Sequence, residues 1–374
     1  MNNRERAMAV LNYEKYDRLP IVHFGYWGEL ISKWVEEGHL KKEETENLWD
    51  GSETDMKLAE KLGFDFCWTA IYGTNNGLMP NFEYKVLENR PGGSIIHQNG
   101  NGLIEEVKPG LNSIPATIGT LMTGRDAWEQ LYKPRLQPDK NRYGSKEQLE
   151  SVKKAMEDLT FMPAGLHVGS LYGFVRDMLG VEGLSYLAAD DFELYTEIID
   201  TIGNLCFTNA KAVLESGIKP DFLHFWEDIC FKNGPLVNPA VFKEYVGPHY
   251  KNITDLGKKY GVKIASLDCD GCIDKLVPVW LENGVNTMFP IEVGTWNASF
   301  EPWRAEYGKE LRGVGGMNKN IFALEKSDID KEIERLKPQV DLGGFIPCPD
   351  HRIPPAAKWD NIKYYCDKMR KTYA

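Results

Sequence analysis

Residues 265–274, ASLDCDGCID, place three carboxylates and two thiols within ten positions, directly after the apolar run Val262-Lys263-Ile264. Zinc accepts both donor types, together with imidazole, and it keeps an open coordination position in catalytic sites. The pair Cys269-x-x-Cys272 is half of a structural zinc cluster, and the chain has no second Cys-x-x-Cys to complete it. The alternative is two small, partly buried residues at a strand-to-helix turn. A metal site here therefore needs ligands from other parts of the chain.

Donor side chains also follow other apolar runs. Cys348 and His351 lie at the end of the last apolar run, residues 343–351. One interpretation is metal binding or proton transfer, and the other is a loop thiol and a histidine bonded to backbone. Glu227 follows Phe225-Trp226, and a carboxylate in such surroundings is either paired with an arginine or functional. His167 is equally consistent with a pocket wall and with a satisfied position in the core.

Aromatic side chains are concentrated early in the chain and could form a flat apolar pocket for a ring-bearing substrate, although tryptophans in loops also simply pack. They are Tyr26, Trp27, Trp34, Trp49, Trp68 and Tyr72. From these and from other polar residues near the ends of apolar runs we select a set of candidate substrate contacts. The set is His23, Trp27, Trp68, Tyr72, Glu292 and Asn318.

Eight short apolar runs recur along the chain, each followed by a polar loop and a segment with helical periodicity, which predicts repeated β-α units. The runs are RLPIVHFG (18–25), FDFCWTAI (64–71), FMPAGLHVG (161–169), FLHFWEDI (222–229), VKIASLDCDG (262–271), NTMFPIEVG (286–294), LRGVGGMNK (311–319) and GGFIPCPDH (343–351). Eight alternations predict an α/β fold of the (β/α)8 TIM barrel type. Catalytic groups of such barrels lie at the carboxyl ends of the strands, so the candidate residues should meet at one mouth.

Residues 83–109 interrupt this pattern, because apolar and polar residues alternate there about the turn Asn99-Gly100-Asn101-Gly102. This pattern predicts a β-hairpin inserted after strand two. Helix signals are also clear, since Ser145 and Gln148 form a capping-box pattern and Pro239 stands where a first helical turn tolerates proline. No linker rich in Pro, Gly or Ser divides the chain, and we expect one domain over residues 1–374.

Composition is that of a globular protein with a large core: 374 residues, of which 42% are hydrophobic and 26% charged. The net charge of -11 and the lack of a long basic run argue against binding of nucleic acid or anionic membranes. The start shows no signal peptide, and no stretch approaches the roughly 18 apolar residues of a spanning helix. Seven irregularly spaced cysteines favour reduced thiols, so we expect a cytoplasmic protein.

Four segments resemble the uroporphyrinogen decarboxylase superfamily, namely RERAMAVLNYEKYDRLPI (4–21), FKNGPLVNPAVFKEYVGPHYKNI (231–253), ENGVNTMFPIEV (282–293) and GGFIPCPDHRIPPAAKWDNIKYY (343–365). The resemblance spans essentially the whole chain and implies the same (β/α)8 barrel. True decarboxylases of this superfamily carry Arg-Gln-Ala-Gly-Arg after the first strand, whereas this chain reads His23-Phe24-Gly25-Tyr26-Trp27. A polyanionic tetrapyrrole would lose its bidentate partners, so the resemblance favours the superfamily's zinc-dependent methyltransferases, which work with corrinoid proteins.

That branch has a His-x-Cys pair after the fifth strand and a later cysteine as zinc ligands. Aligned on Asp270-Gly271, this chain has Asp268 and Asp270 at the pair's positions, whereas an alignment on Cys269 puts Leu267 at the histidine position. Cys348 lies near the place of the later cysteine. The resemblance therefore implies a rebuilt zinc site, for which the candidate ligands are Asp270, Cys348, His351 and Cys269.

The implied function is methyl transfer from a small methylated donor to the cobalt of a corrinoid protein. A methoxylated aromatic donor is favoured over a methylated amine, and zinc would activate the leaving group. Glu227, Tyr26 and His167 are the candidate catalytic residues, with Glu227 or Tyr26 as proton donor or orienter. Two alternatives stay open: a decarboxylase that acts on a different acid, and a non-catalytic barrel that binds a small molecule.

Overall fold

Each of the eight predicted runs contains a β-strand in the computed structural model, which describes residues 1–108 and 115–373. In chain order the strands are β1 (Val22–His23), β2 (Phe66–Cys67), β3 (Ala70–Gly73), β4 (Lys85–Asn89), β5 (Ile95–Gln98), β6 (Leu103–Val107), β7 (Ala116–Thr120), β8 (Gly165–Gly169), β9 (Phe222–Trp226), β10 (Cys230–Phe231), β11 (Gly234–Pro235), β12 (Ile264–Asp268), β13 (Thr287–Phe289), β14 (Arg312–Met317) and β15 (Phe345–Pro349). The positions of the eight predicted strands are confirmed.

Seven of these strands form one parallel sheet in the order β15-β14-β13-β12-β9-β8-β3, and β1 pairs in parallel with β2. Apart from β3, which is half-buried to exposed, the strands are largely buried on both faces, as expected for a parallel sheet covered by helices. Backbone hydrogen bonds from Trp27 N–H to the Ile353 carbonyl (3.2 Å) and from Ile353 N–H to the Gly25 carbonyl (3.0 Å) join the loops that follow β1 and β15. The protein is thus a mixed α/β fold around a parallel sheet, whose closure into a barrel stays a prediction.

The helices alternate with the parallel strands. In chain order they are α1 (Asn3–Leu11), α2 (Gly28–Glu36), α3 (Glu53–Leu62), α4 (Arg125–Ala127), α5 (Lys146–Asp158), α6 (Gly173–Asp190), α7 (Phe192–Glu215), α8 (Pro239–Val241), α9 (Gly247–Lys259), α10 (Val277–Glu282), α11 (Val293–Trp296), α12 (Phe300–Tyr307), α13 (Lys326–Asp341) and α14 (Trp359–Thr372). Ser145 and Gln148 form the predicted capping box of α5, and Pro239 opens α8. Among the described helices, none combines the length and the apolar character that crossing a lipid bilayer requires.

The inserted segment is larger than the predicted hairpin. The turn at residues 99–102 joins β5 to β6 as predicted, and Asn99 Oδ1 accepts hydrogen bonds from the N–H groups of Asn101 (2.9 Å) and Leu103 (3.0 Å). However, β4 and β7 extend this pair into a four-stranded antiparallel sheet, so the predicted boundaries 83–109 are too narrow, and Pro109 lies outside the described residues. The prediction missed β7 because this strand, ATIGT, does not alternate between buried and exposed side chains.

Candidate functional site

A cavity of about 620 Å³ opens at the carboxyl ends of the parallel strands. We call it the mouth cavity, and its volume is in the range of small-molecule sites. Its chemistry comes from aspartates, histidines, aromatic rings and one arginine among the described residues. They are Phe24, Trp49, Asp50, Trp68, Tyr72, His167, His224, Trp226, Asp228, Asp268, Asp270, His351 and Arg352.

Two aspartates at the end of β12 and just after it bring oxygen atoms without hydrogen-bond donors to the mouth cavity. Asp268 ends the strand and is only 8% exposed, and no described residue donates a hydrogen bond to its carboxyl group. Burial, reinforced by the charges of Asp270 and Asp228, raises the pKa of Asp268 well above its ordinary value. In Asp270, the buried Oδ1 likewise has no hydrogen-bond partner among the described residues. Buried oxygens without donors are costly, so a ligand that satisfies them would be stabilised here.

His351 holds the other oxygen of Asp270. The His351 Nε2 lies 3.1 Å from Asp270 Oδ2, while the Arg352 N–H donates to His351 Nδ1 at 2.7 Å. Because Nδ1 accepts a hydrogen bond, the neutral ring carries its proton on Nε2, and this N–H donates a hydrogen bond to Asp270. Trp27 stacks on the imidazole with ring centroids 5.6 Å apart and planes 9° apart, which fixes the orientation of the ring.

Two further histidines line the mouth cavity, His167 on β8 and His224 on β9. The ring centroids of His167 and His224 are 6.3 Å apart. Burial lowers the pKa of His167 to about 4 and the pKa of His224 to about 3, so both imidazoles are neutral at neutral pH. His224 Nδ1 is buried without a partner among the described residues. Neutral imidazoles can accept or donate hydrogen bonds, but they bring no positive charge.

The one arginine among the described residues that line the mouth cavity is already paired. Arg352 donates to both carboxylate oxygens of Asp50, at 3.0 and 2.5 Å. Gly25, with φ of 77°, leaves room for this ion pair, because a Cβ there would lie 2.5 Å from Asp50 Oδ1 and 2.6 Å from an Arg352 nitrogen. The Arg352 guanidinium therefore forms part of the cavity wall and is not free to bind an anionic ligand.

No family model and no curated protein matches the chain. Among solved structures, it is similar to a methyltransferase from Methanosarcina mazei, with 16% identity over all of both chains and a TM-score of 0.59. A B12-independent methionine synthase from Shewanella sp. W3-18-1 in complex with selenomethionine shares 11% identity over 95% of this chain and 98% of that chain, with a TM-score of 0.49. A putative vitamin-B12 independent methionine synthase from Listeria monocytogenes shares 14% identity over 62% and 71% of the chains, with a TM-score of 0.37. At these identities the first likeness concerns the fold alone, and the other two add nothing to it.

Glu227 lies outside the mouth cavity, although the sequence nominates it as catalytic. Its carboxylate is fully buried and accepts hydrogen bonds from the N–H groups of Leu171 (2.8 Å), Tyr172 (2.9 Å) and Gly173 (2.7 Å) and from the Tyr250 hydroxyl. These are the otherwise unpaired amides at the start of α6, so the side chain anchors that helix to β9. Burial raises the pKa of Glu227, and the four hydrogen bonds oppose this rise.

His23 and Tyr26 are placed behind the mouth cavity rather than in it. His23 belongs to the only group of three metal-donor side chains among the described residues whose ligand atoms all lie within 4.8 Å of one another, His23, Asp55 and Cys67. Such a buried His-Asp-Cys group could bind a metal, and zinc accepts these donors. The Gly25 N–H, however, donates to His23 Nδ1, so a metal on Nε2 would require this contact to change. Tyr26 stacks near His23, and its hydroxyl is buried without a described partner.

The four predicted zinc ligands do not converge, since no three of them appear as a group of neighbouring donors in the described residues. Asp270 and His351 are in contact, but Cys348 is fully buried and does not line the mouth cavity. Cys269 Sγ accepts the Ile229 N–H at 3.4 Å and is also buried away from the cavity. The donor set of the resemblance is therefore not assembled at the mouth.

Of the remaining substrate candidates, some lie at the mouth cavity and others hold neighbouring loops in place. Trp68 and Tyr72 line the mouth cavity, and Trp27 backs His351. Glu292 instead accepts the Gly271 N–H (2.6 Å) and the Thr295 hydroxyl (2.8 Å), which holds the loop after β12. Asn318 caps the short helical turn at Lys319–Ala323. The last two are thus local structural residues.

Proposed function

We propose that the chain transfers a methyl group from a small methylated donor, bound in the mouth cavity, to the cobalt of a separate corrinoid protein. The proposal takes the parallel strands as a closed (β/α)8 barrel with one domain, because the backbone bonds of Ile353 join the loops after β1 and β15. The observation that carries it is the mouth cavity itself, at the strand ends where barrels hold their reactive groups. The fold likeness to a methyltransferase supports it.

The proposed reaction depends on the chain's own acids. Reduced cobalt attacks the methyl carbon, and the bond from that carbon to the donor's oxygen or nitrogen breaks, with its electron pair remaining on the leaving atom. Burial raises the pKa of Asp268, so beside a neutral donor this carboxyl group can pass a proton to a leaving oxygen, whereas a cationic donor favours its ionised form. Asp270 and His351 form the adjacent wall, and the rings of Trp68 and Tyr72 hold the apolar part of the donor. Since the four predicted zinc ligands do not converge, no step is assigned to them.

A decarboxylase fits this site less well. Recognition of a carboxylate substrate needs free cationic side chains, and Arg352, the one arginine or lysine among the described lining residues, is bound to Asp50 on both carboxylate oxygens. The four aspartates of the lining would also repel an anion.

The test is a methyl-transfer assay with purified protein and cob(I)alamin as acceptor, in which 2-methoxyphenol, trimethylamine and choline serve as donors and the loss of reduced-cobalt absorbance is followed. We expect transfer from at least one donor, and Asp268→Asn should slow it about 100-fold or more. Asp255→Asn on α9, an exposed carboxylate paired with Lys251 and Lys258, is the matched control and should not change the rate. Release of carbon dioxide from an acid, or binding without turnover, would instead favour the two alternatives.

A further inference from the structure

We infer that the mouth cavity binds an organic cation, and specifically a methylated ammonium group. This inference rests on the proposed function for its role in methyl transfer, but the binding itself can be tested alone. It replaces the methoxylated aromatic donor favoured by the sequence.

The charged side chains of the cavity lining favour a positive ligand. Four aspartates and one arginine are the ionisable acids and strong bases among the described residues of the lining. The arginine is neutralised by Asp50, and Asp228 has a partner in Arg176, whose nitrogen lies 2.9 Å from its Oδ2. Asp268 and Asp270 are left without a cation. A positively charged ligand would favour the ionised form of both carboxyl groups, whereas a neutral ether would leave them without a cation.

The hydrogen-bonding groups of the lining also favour a cation. Two of the lining donors are engaged with protein, since the Trp68 indole N–H donates to Ser266 Oγ at 3.3 Å and the Tyr72 hydroxyl donates to the Tyr143 carbonyl at 2.7 Å, while the neutral imidazoles of His167 and His224 can donate or accept. In contrast, Asp268 is more than nine-tenths buried with no described donor, and Asp270 Oδ1 is a buried acceptor without one. The cavity therefore presents unpaired acceptors, which match a ligand that is positive or donates hydrogen bonds.

The aromatic side chains of the cavity walls favour a methylated cation. The rings of Phe24, Trp68, Tyr72 and Trp226 line the same cavity as the two acids. Aromatic faces attract ammonium cations, and cages of such rings are the usual sites for methylated ammonium groups. The aromatic walls also contact methyl groups, which an inorganic cation lacks. A divalent metal is a poorer occupant, because the only close group of three donors among the described residues is His23, Asp55 and Cys67, outside this cavity.

Isothermal titration of the purified protein with three probes tests the inference. The probes are choline, its neutral isostere 3,3-dimethylbutan-1-ol, and 2-methoxyphenol. We expect choline to bind at least tenfold more tightly than the isostere and than 2-methoxyphenol. Asp268→Asn should weaken choline at least tenfold and leave the isostere unchanged, and Asp255→Asn should alter neither. Should Asp268→Asn fail to fold, the comparison of the three probes on the unaltered protein still decides.

The outcomes separate the two proposals. Equal binding of choline and the isostere, tighter binding of 2-methoxyphenol, or no binding of any probe would overturn the cation site. Tighter binding of 2-methoxyphenol followed by its demethylation would leave methyl transfer standing. Selective binding of choline, with no methyl transfer from choline or trimethylamine to cob(I)alamin, would support the cation site and contradict the proposed function.

Discussion

Replacement of Glu227 by glutamine distinguishes a structural anchor from a catalytic acid. One carboxylate oxygen accepts from the Leu171 N–H and the Tyr250 hydroxyl, and the other accepts from the N–H groups of Tyr172 and Gly173. An amide nitrogen cannot accept a hydrogen bond. It is tolerated best in place of the first oxygen, because the Tyr250 hydroxyl can turn and accept while only the Leu171 N–H loses its acceptor.

The expected loss of stability follows from these contacts. A buried N–H without an acceptor costs about 1–3 kcal/mol, and the two remaining amide bonds each lose about 1 kcal/mol when their acceptor is no longer charged. The free energy of unfolding should therefore fall by about 3–5 kcal/mol in Glu227→Gln. With a urea dependence of about 3 kcal/mol per M for a chain of this size, the unfolding midpoint should fall by about 1–1.7 M.

Urea denaturation followed by tryptophan fluorescence measures this shift, and the methyl-transfer assay at low temperature measures activity per folded molecule. We expect the activity of Glu227→Gln to stay within about threefold of the unaltered protein, because the side chain is absent from the cavity lining. Tyr250→Phe, which removes only the hydroxyl that donates to Glu227, is the graded control and should cost about 1 kcal/mol. A Glu227→Gln variant that unfolds at the original midpoint but loses activity 100-fold would refute the anchor role and restore Glu227 as a catalytic residue.

Two further predictions concern a buried acid and a crowded glycine. Burial raises the pKa of Asp55 to about 7, so between pH 4 and 7 the folded chain keeps a proton that the unfolded chain has lost, and this contribution to stability is lost as the pH rises. Asp55→Asn removes the effect, so its stability relative to the unaltered, chelator-treated protein should rise by up to about 4 kcal/mol over this range, and parallel urea-denaturation curves at all pH values would contradict the raised pKa. A Cβ at Gly315 (φ of 130°) would lie 1.6 Å from the Pro290 carbonyl oxygen, and Gly315→Ala should cost about 3 kcal/mol or more in thermal unfolding. Gly261→Ala, also at positive φ (87°) but with no atom near its Cβ, should cost only about 1–2 kcal/mol, and equal losses for the two variants would argue against the clash.

The strand positions could be predicted because buried parallel strands appear in a sequence as short apolar runs. Trp68, His167 and Asp270, which the strand-end rule selects, line the mouth cavity. The rule does not say which way a side chain points, and successive residues of a strand face opposite sides. Asp268 thus faces the cavity while Cys269, one residue later, turns away to accept the Ile229 N–H.

The ion pair of Asp50 and Arg352 in the cavity wall could not be predicted from the sequence. Asp50 lies in a loop before α3, and its partner is 302 positions further along the chain. Neither residue belongs to a periodic pattern, and a single sequence carries no information on pairs at such a separation. The contacts of Glu227 could not be predicted for a related reason, since its partners include backbone N–H groups at the start of α6, which any sequence could supply.

The acidic mouth and the dispersed thiols have one chemical consequence in common. A methyl ether needs an activated leaving group, because a phenolate with a pKa of about 10 must otherwise depart with full negative charge. Beside the Asp270 carboxylate that charge would be repelled, Asp268 alone could offset it with a proton, and Cys348 and Cys269 are not placed to hold a Lewis acid against it. A quaternary ammonium donor instead loses its positive charge as the methyl group leaves, and the departing amine is neutral. The carboxyl groups of Asp268 and Asp270 therefore suit a bound ammonium donor, which needs no Lewis acid for its leaving group, better than they suit a methyl ether.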